Sequence, residues 1–187
     1  MNLKNEIFTE RLSIMSATEA DINMIMEMER SPENRRFVWH GTYEEHLSEI
    51  NDRKSLLLVF RRKTDNIPIG FSLSCIDFKS EVYEFRRIVI IDKNKGYGRE
   101  AIEWHLKYAF EEMGVNRFWL DVYADNKIAI KLYESLKMHR DGILRQNFKS
   151  DRGYMDQVIY SILKGEYISR LPLSGFKRAK TDPQSTC

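Results

Sequence analysis

The segment Lys93-Asn94-Lys95-Gly96-Tyr97-Gly98-Arg99 sets two glycines one residue apart among three cations. It lies between a run of strand formers, Arg87-Ile88-Val89-Ile90-Ile91, and a helix-period stretch that runs to Met113. The first N–H groups of a helix have no intrahelical partners and carry the positive end of its dipole. Glycine lets that backbone approach a ligand closely, so the chemistry on offer is capture of a phosphate or pyrophosphate. Three readings compete. The G-x-x-x-x-G-K-[ST] pattern of a Walker loop is absent. The dinucleotide fingerprint G-x-G-x-x-G has Ala101 in its third glycine place, which that fingerprint tolerates. The third reading is a basic turn ahead of an amphipathic helix.

The elements around this loop are legible from periodicity and caps. Glu10–Met15 reads as a short strand, and Thr18 caps a helix whose apolar face is Ile22, Ile25 and Met28. Thr42 with Glu45 forms a capping box that opens a second helix, to about Asn51. Ser55–Arg61 and Ile69–Asp77 make a hairpin, followed by a strand over Val82–Ile91. A helix over Gly98–Met113 ends at Gly114, Arg117–Val122 is a strand, and Asn126–Leu136 is a second helix with Ala129, Leu132, Tyr133 and Leu136 on one stripe. Ile143–Lys149 and Gln157–Leu163 read as antiparallel strands joined through Asp151-Arg152-Gly153. Strands first, then strands interleaved with helices, predict an α/β mixed sheet with helices on both faces. One domain is expected over residues 1–167, with 168–187 as a mobile C-terminal tail.

Two separated motifs resemble those of the GCN5-related N-acetyltransferases, the GNAT family. Lys93-x-x-Gly96-x-Gly98 is similar to its first signature, Gln/Arg-x-x-Gly-x-Gly/Ala, with lysine in the first place. Asn126, Ala129, Leu132, Tyr133 and Glu134 match its second, Asn-x-x-Ala-x-x-Leu-Tyr-Glu-x-x-Gly-Phe, where Lys137-Met138 replaces Gly-Phe. The resemblance spans about residues 8–165. It implies a GNAT fold: a mostly antiparallel sheet of six or seven strands, splayed between the fourth and fifth. It also implies acetyl-CoA as cosubstrate. Its pyrophosphate would lie on Lys93, Asn94, Lys95, Gly96, Tyr97, Gly98 and Arg99, and its pantetheine arm along the backbone of Ile88, Val89 and Ile90.

The resemblance implies a role for four further groups. The backbone N–H of Val89 or Ile90 would donate to the thioester oxygen. Asn126 and Ala129 would contact the cofactor, and Asn126 also suits a plain helix cap. Tyr133 would protonate the departing thiolate; its other reading is a half-buried core tyrosine. Glu84 would be the general base. Its other reading is an ion pair with Arg86 or Arg87, and Asp77 and Glu81 are weaker substitutes for the base. Strict alternation along this strand would put Glu84, Arg86, Ile88 and Ile90 on one face.

At 187 residues the chain can bury a sizeable core, and its 42% hydrophobic and 31% charged residues are ordinary for a globular domain. A net charge of +2 is too balanced to argue for nucleic acid. No apolar run of 18 residues predicts a membrane span, and the first residues lack the apolar core of a signal peptide. Two cysteines, Cys75 and Cys187, suit a reduced cytoplasmic protein. His40, His46, His105 and His139 show no metal-ligand spacing, so no metal is expected. The acceptor, a small-molecule amine or peptide N-terminus, is expected between Arg30–Thr42, with its aromatic Phe37-Val38-Trp39-His40, and the hairpin around Asn147–Tyr154. Oligomeric state is unset and a homodimer stays open. The alternative to an enzyme is a non-catalytic acyl-CoA-binding module.

Overall fold

A computed structural model describes residues 1–3 and 5–170 of the chain. Its elements run β1 (Ile7–Phe8), β2 (Leu12–Ser16), α1 (Ile22–Arg30), α2 (Tyr43–Asn51), β3 (Ser55–Arg62), β4 (Pro68–Asp77), β5 (Val82–Ile90), α3 (Tyr97–Lys107), β6 (Arg117–Tyr123), α4 (Lys127–Ser135), β7 (His139–Ser150), β8 (Gly153–Leu163) and α5 (Lys164–Ser169). The domain boundary expected at 167 falls inside α5, and the expected tail lies, from 171 on, outside the described residues. The helix expected over Gly98–Met113 is α3 followed by a π-helical turn, Tyr108–Glu112.

The strands form one sheet in the order β1-β2-β3-β4-β5-β6-β8-β7. β1 is the addition to the expected count; two residues are too few to show alternation. Among described residues β5–β6 is the parallel pair and the other neighbours are antiparallel. The central strand β3 is buried on both faces, as its unbroken Leu-Leu-Leu-Val-Phe run requires. Leu56, Leu58 and Phe60 pack toward α3 and α4 with Tyr83, Phe85, Ile102 and Leu106. Leu57 and Val59 pack toward α1 with Ile25, Met28, Phe71 and Val89. The expected Thr42 cap of α2 is present, with Glu45 N donating to Thr42 Oγ1 at 3.2 Å; Thr18 instead opens a short 3₁₀ turn, Glu19–Asp21, and the N-cap of α1 itself is Asp21.

β5 does not alternate strictly. Leu73 of β4 pairs with Arg87 but Ser74 pairs with Phe85, so Arg86 is the extra residue of a β-bulge. The bulge reverses the faces beyond it. Ile88 and Ile90 join Tyr83 and Phe85 on the α3 side, whereas Arg87 and Val89 face α1 and α2. The expectation of one face for Glu84, Arg86, Ile88 and Ile90 is therefore corrected: a bulge inserts one residue without any signal in the apolar pattern.

Candidate active site

The sheet opens where β5 and β6 part. Their pairing covers Val82↔Arg117, Tyr83↔Phe118 and Glu84↔Trp119 and then stops, while β6 stays paired with β8 as far as Tyr123↔Gln157. The unpaired stretch of β5 borders a cavity of about 1090 Å³. Ile91 N donates to Ile69 O of the β4 side at 2.8 Å, so by the two-residue period Val89 also turns its backbone to β4. A Cβ on Gly70 would come 2.2 Å from Val89 O, which is why the facing residue of β4 is glycine. Ile88 and Ile90 consequently present N–H and C=O to the gap. Of the two N–H groups considered, that of Ile90 faces the gap, and Val89 is outside the cavity lining.

The cationic loop closes one end of this cavity. Asn94 and Gly96 both have left-handed backbone, φ 60° and 82°, which curls the chain into a concave run of amides. Gly96 is the N-cap of α3 and supplies no side chain, and the first intrahelical bond is Glu100 N to Gly96 O. The N–H groups of Tyr97, Gly98 and Arg99 have no acceptor among described residues and lie at the positive end of the helix. Arg11 braces the loop from behind: it donates to Lys95 O at 2.7 Å, pairs with Glu100 at 2.7 Å and lies over the Tyr97 ring. Lys93, Asn94, Gly96, Tyr97, Gly98 and Arg99 line the cavity, whereas Lys95 pairs with Asp92 at 2.7 Å and is outside it.

α4 forms the adjoining wall. The Asn126 side chain accepts from Ala129 N at 3.2 Å, so it is a cap, and both residues also line the cavity. Tyr133 is 5% exposed and lies two turns on. Its hydroxyl makes no hydrogen bond to another described residue, although it reaches the cavity lining. Burial pushes this phenol well above its ordinary pKa, and the charge of Asp121 adds to the shift. Lys137, in the place of the motif's glycine, adopts φ 60°. Lys137 N donates to Glu134 O and Met138 N to Tyr133 O, which completes a Schellman cap without glycine.

The opposite wall belongs to β5, β6, β7, β8 and the α1–α2 segment. Glu84 reaches the cavity and is paired with Arg86 at 2.9 Å, so the ion-pair reading is present in the geometry. Sequence reasoning missed Asp121. Alternation along β6 puts Trp119, Asp121 and Tyr123 on the cavity face, and a lone carboxylate among strand formers was the available signal. Asp121 accepts from Gln157 Nε2, while Gln157 Oε1 accepts from Asn147 Nδ2 at 2.6 Å, and Asp121 has no cationic partner among described residues. Burial raises its pKa, the Gln157 bond opposes that rise, and the Glu84 charge adds to it. Phe37, Val38 and Trp39 complete the wall, as expected of that segment.

A buried ionic network holds this wall. Glu29 is fully buried; it accepts from Arg87 at 2.6 Å, from Gly41 N at 2.9 Å and from His46 at 3.3 Å. Glu49 accepts from Arg87 and His46, both at 2.9 Å, and Trp39 stacks on the Arg87 guanidinium. Burial opposes the charge on His46, but the hydrogen bonds and charges of Glu29 and Glu49 outweigh it and raise its pKa to about 9. A raised folded-state pKa gives stability that is complete below the unfolded value near 6.5 and is lost as pH passes through 9. Urea midpoints measured from pH 6 to 10 should therefore fall, with a loss on the order of 3 kcal/mol. The fall should be absent in His46→Gln; an equal fall there removes His46 as its cause.

Among described residues no group of His, Cys, Asp and Glu is placed to hold a metal ion, and no helix is long and apolar enough to cross a membrane.

Residues 11–139 match the acetyltransferase (GNAT) domain family. An uncharacterised N-acetyltransferase, p20, of Bacillus licheniformis is 23% identical over 86% of this chain and 97% of its own. The ribosomal protein bS18-alanine N-acetyltransferase of Salmonella typhimurium is 37% identical over 37% of this chain and 47% of its own. The spermidine N(1)-acetyltransferase of Vibrio cholerae is 26% identical over 68% and 73%. A dodecameric structure of spermidine N-acetyltransferase from Vibrio cholerae superposes with a TM-score of 0.73 at 22% identity, covering 87% of this chain and 99% of that one. A GNAT-family acetyltransferase from Bacillus anthracis superposes with a TM-score of 0.72 at 25% identity, covering 87% and 100%. With 129 of its 187 residues inside the family match, the chain belongs to the GNAT acetyltransferases, a family of enzymes.

Proposed function

We propose that this protein transfers an acetyl group from acetyl-CoA to a primary amine by direct attack in a ternary complex. One observation carries the reading: the start of α3, the unpaired backbone of Ile88 and Ile90, the Tyr133 phenol and the carboxylates of Glu84 and Asp121 meet in a single cavity. Backbone at residues 93–99 takes the pyrophosphate, and Ile90 N–H polarises the thioester carbonyl. The amine gives up a proton to a carboxylate, its nitrogen bonds to the carbonyl carbon, the C–S bond breaks, and Tyr133 protonates the sulfur. A non-catalytic binding module has no use for these acid and base groups. The acceptor is a small molecule or a flexible peptide end, in keeping with relatives that act on spermidine and on an alanine of a ribosomal protein. The free thiol of Cys75 suits a reducing compartment such as the cytoplasm. The test is release of free CoA thiol with a panel of polyamines, amino sugars, amino acids and peptides; no turnover with any amine returns the chain to a binding role.

Glu84 is our base. Asp121 is the second reading, favoured by the Arg86 pair that occupies Glu84 and by its own lack of a cation. Glu84→Gln is expected to lower kcat/KM about 100-fold at pH 7 and much less at pH 9.5, where free amine is abundant. If Asp121→Asn shows that profile while Glu84→Gln only scales the curve down, the role passes to Asp121. The acid limb should then lie above the ordinary aspartate range, because the Asp121 pKa is raised.

A further inference from the structure

The cofactor loop and the acceptor wall are joined by one side-chain hydrogen bond among described residues, from Lys93 Nζ to Asn34 Oδ1 at 2.5 Å. Asn34 is 4% exposed. Its side-chain nitrogen Nδ2 donates to Met28 O and to Ser31 Oγ, both at 2.9 Å, and its main-chain carbonyl accepts from Phe37 N at 2.8 Å. It is thus anchored to the end of α1 and to the segment that carries Phe37, Val38 and Trp39. Lys93 is exposed overall, and no carboxylate lies within ion-pair distance of it among described residues; the neighbouring Asp92 is taken by Arg62 and Lys95. A neutral amide brings no charge to this ammonium; local desolvation lowers the Lys93 pKa, and the more distant Glu33 charge opposes that fall.

We propose that Asn34 is a positioning residue that couples anion binding on the cofactor loop to the shape of the acceptor wall. It does so by holding the otherwise unpaired Lys93 ammonium between the two. The inference rests on the acetyl-CoA reading above. A pyrophosphate on residues 93–99 supplies the missing negative charge, which favours the charged, tethered lysine and so the ordered 31–42 segment. Coupling of this kind is reciprocal: what the cofactor gives to the wall, the tether gives to cofactor affinity.

Amide hydrogen exchange of peptides covering residues 31–42, with and without CoA, tests this in three proteins. In the wild type CoA should slow exchange in this segment about fivefold or more, within the usual range of coupling factors. In Asn34→Ala that slowing should vanish, while CoA still binds more weakly and acceptor KM rises with little change in kcat. In Lys93→Gln, whose amide can still donate to Asn34, exchange without CoA should stay near wild type and the CoA-induced slowing should be lost. This second variant keeps the test decisive if Asn34→Ala folds poorly. Equal slowing in wild type and either variant, or CoA binding to the wild type with no slowing, overturns the tether alone. Absence of CoA binding by the wild type overturns the acetyl-CoA reading and the tether with it.

Discussion

Gly98→Asp is expected to leave no CoA binding measurable by titration calorimetry while the chain folds normally. A Cβ at this position would sit 3.8 Å from Ile90 Cγ1 and Leu132 Cδ2, ordinary contact that the protein tolerates. The obstacle is the ligand. The new carboxylate would stand at the free amides of α3, where it competes for their positive potential and repels an incoming pyrophosphate. Two unit charges about 4 Å apart at an effective dielectric of about 20 interact by about 4 kcal/mol, a factor of about 10³ in affinity. Gly98→Ala should cost far less, since it adds the Cβ without the charge. Unchanged CoA affinity in Gly98→Asp would move the pyrophosphate off this helix start.

Tyr133→Phe should keep CoA affinity within about twofold and lower kcat about 100-fold or more, the ordinary scale of lost acid catalysis. A buried tyrosine hydroxyl normally finds a partner inside the protein. This one has none among described residues, so its removal leaves no protein group unsatisfied, and thermal stability should hold. The raised pKa keeps the phenol protonated across the working range, as an acid must be before the thiolate leaves. A loss confined to KM, or full activity, would make Tyr133 a packing residue.

The two motifs and the Thr42 cap were readable because each depends on residues within a few positions of one another. Gly96 and Gly98 before an apolar helix, Asn126 ahead of Ala129, and Thr42 before Glu45 are local hydrogen-bonding and backbone preferences written in order along the chain. The Lys137 cap shows the limit of such reading: the surrounding fold imposes a left-handed turn on a residue that does not favour it.

The sequence by itself therefore determined the glycine-flanked start of α3, the cap and tyrosine of α4, and the order of strands and helices, because those are short-range properties. Tertiary structure alone decided which side chains of β5 share a face, since a bulge at Arg86 cancels the strict alternation expected there. It alone brought Asp121 beside Glu84 and Tyr133, three residues on two strands and a helix. It alone joined Glu29, His46, Glu49 and Arg87 into one buried network, and Asn34 to Lys93 across 59 positions of chain. Charge partnerships over such separations have no period for a sequence to carry. They form where packing of α1 and α2 on the sheet removes water and leaves each ion only the partners the fold supplies.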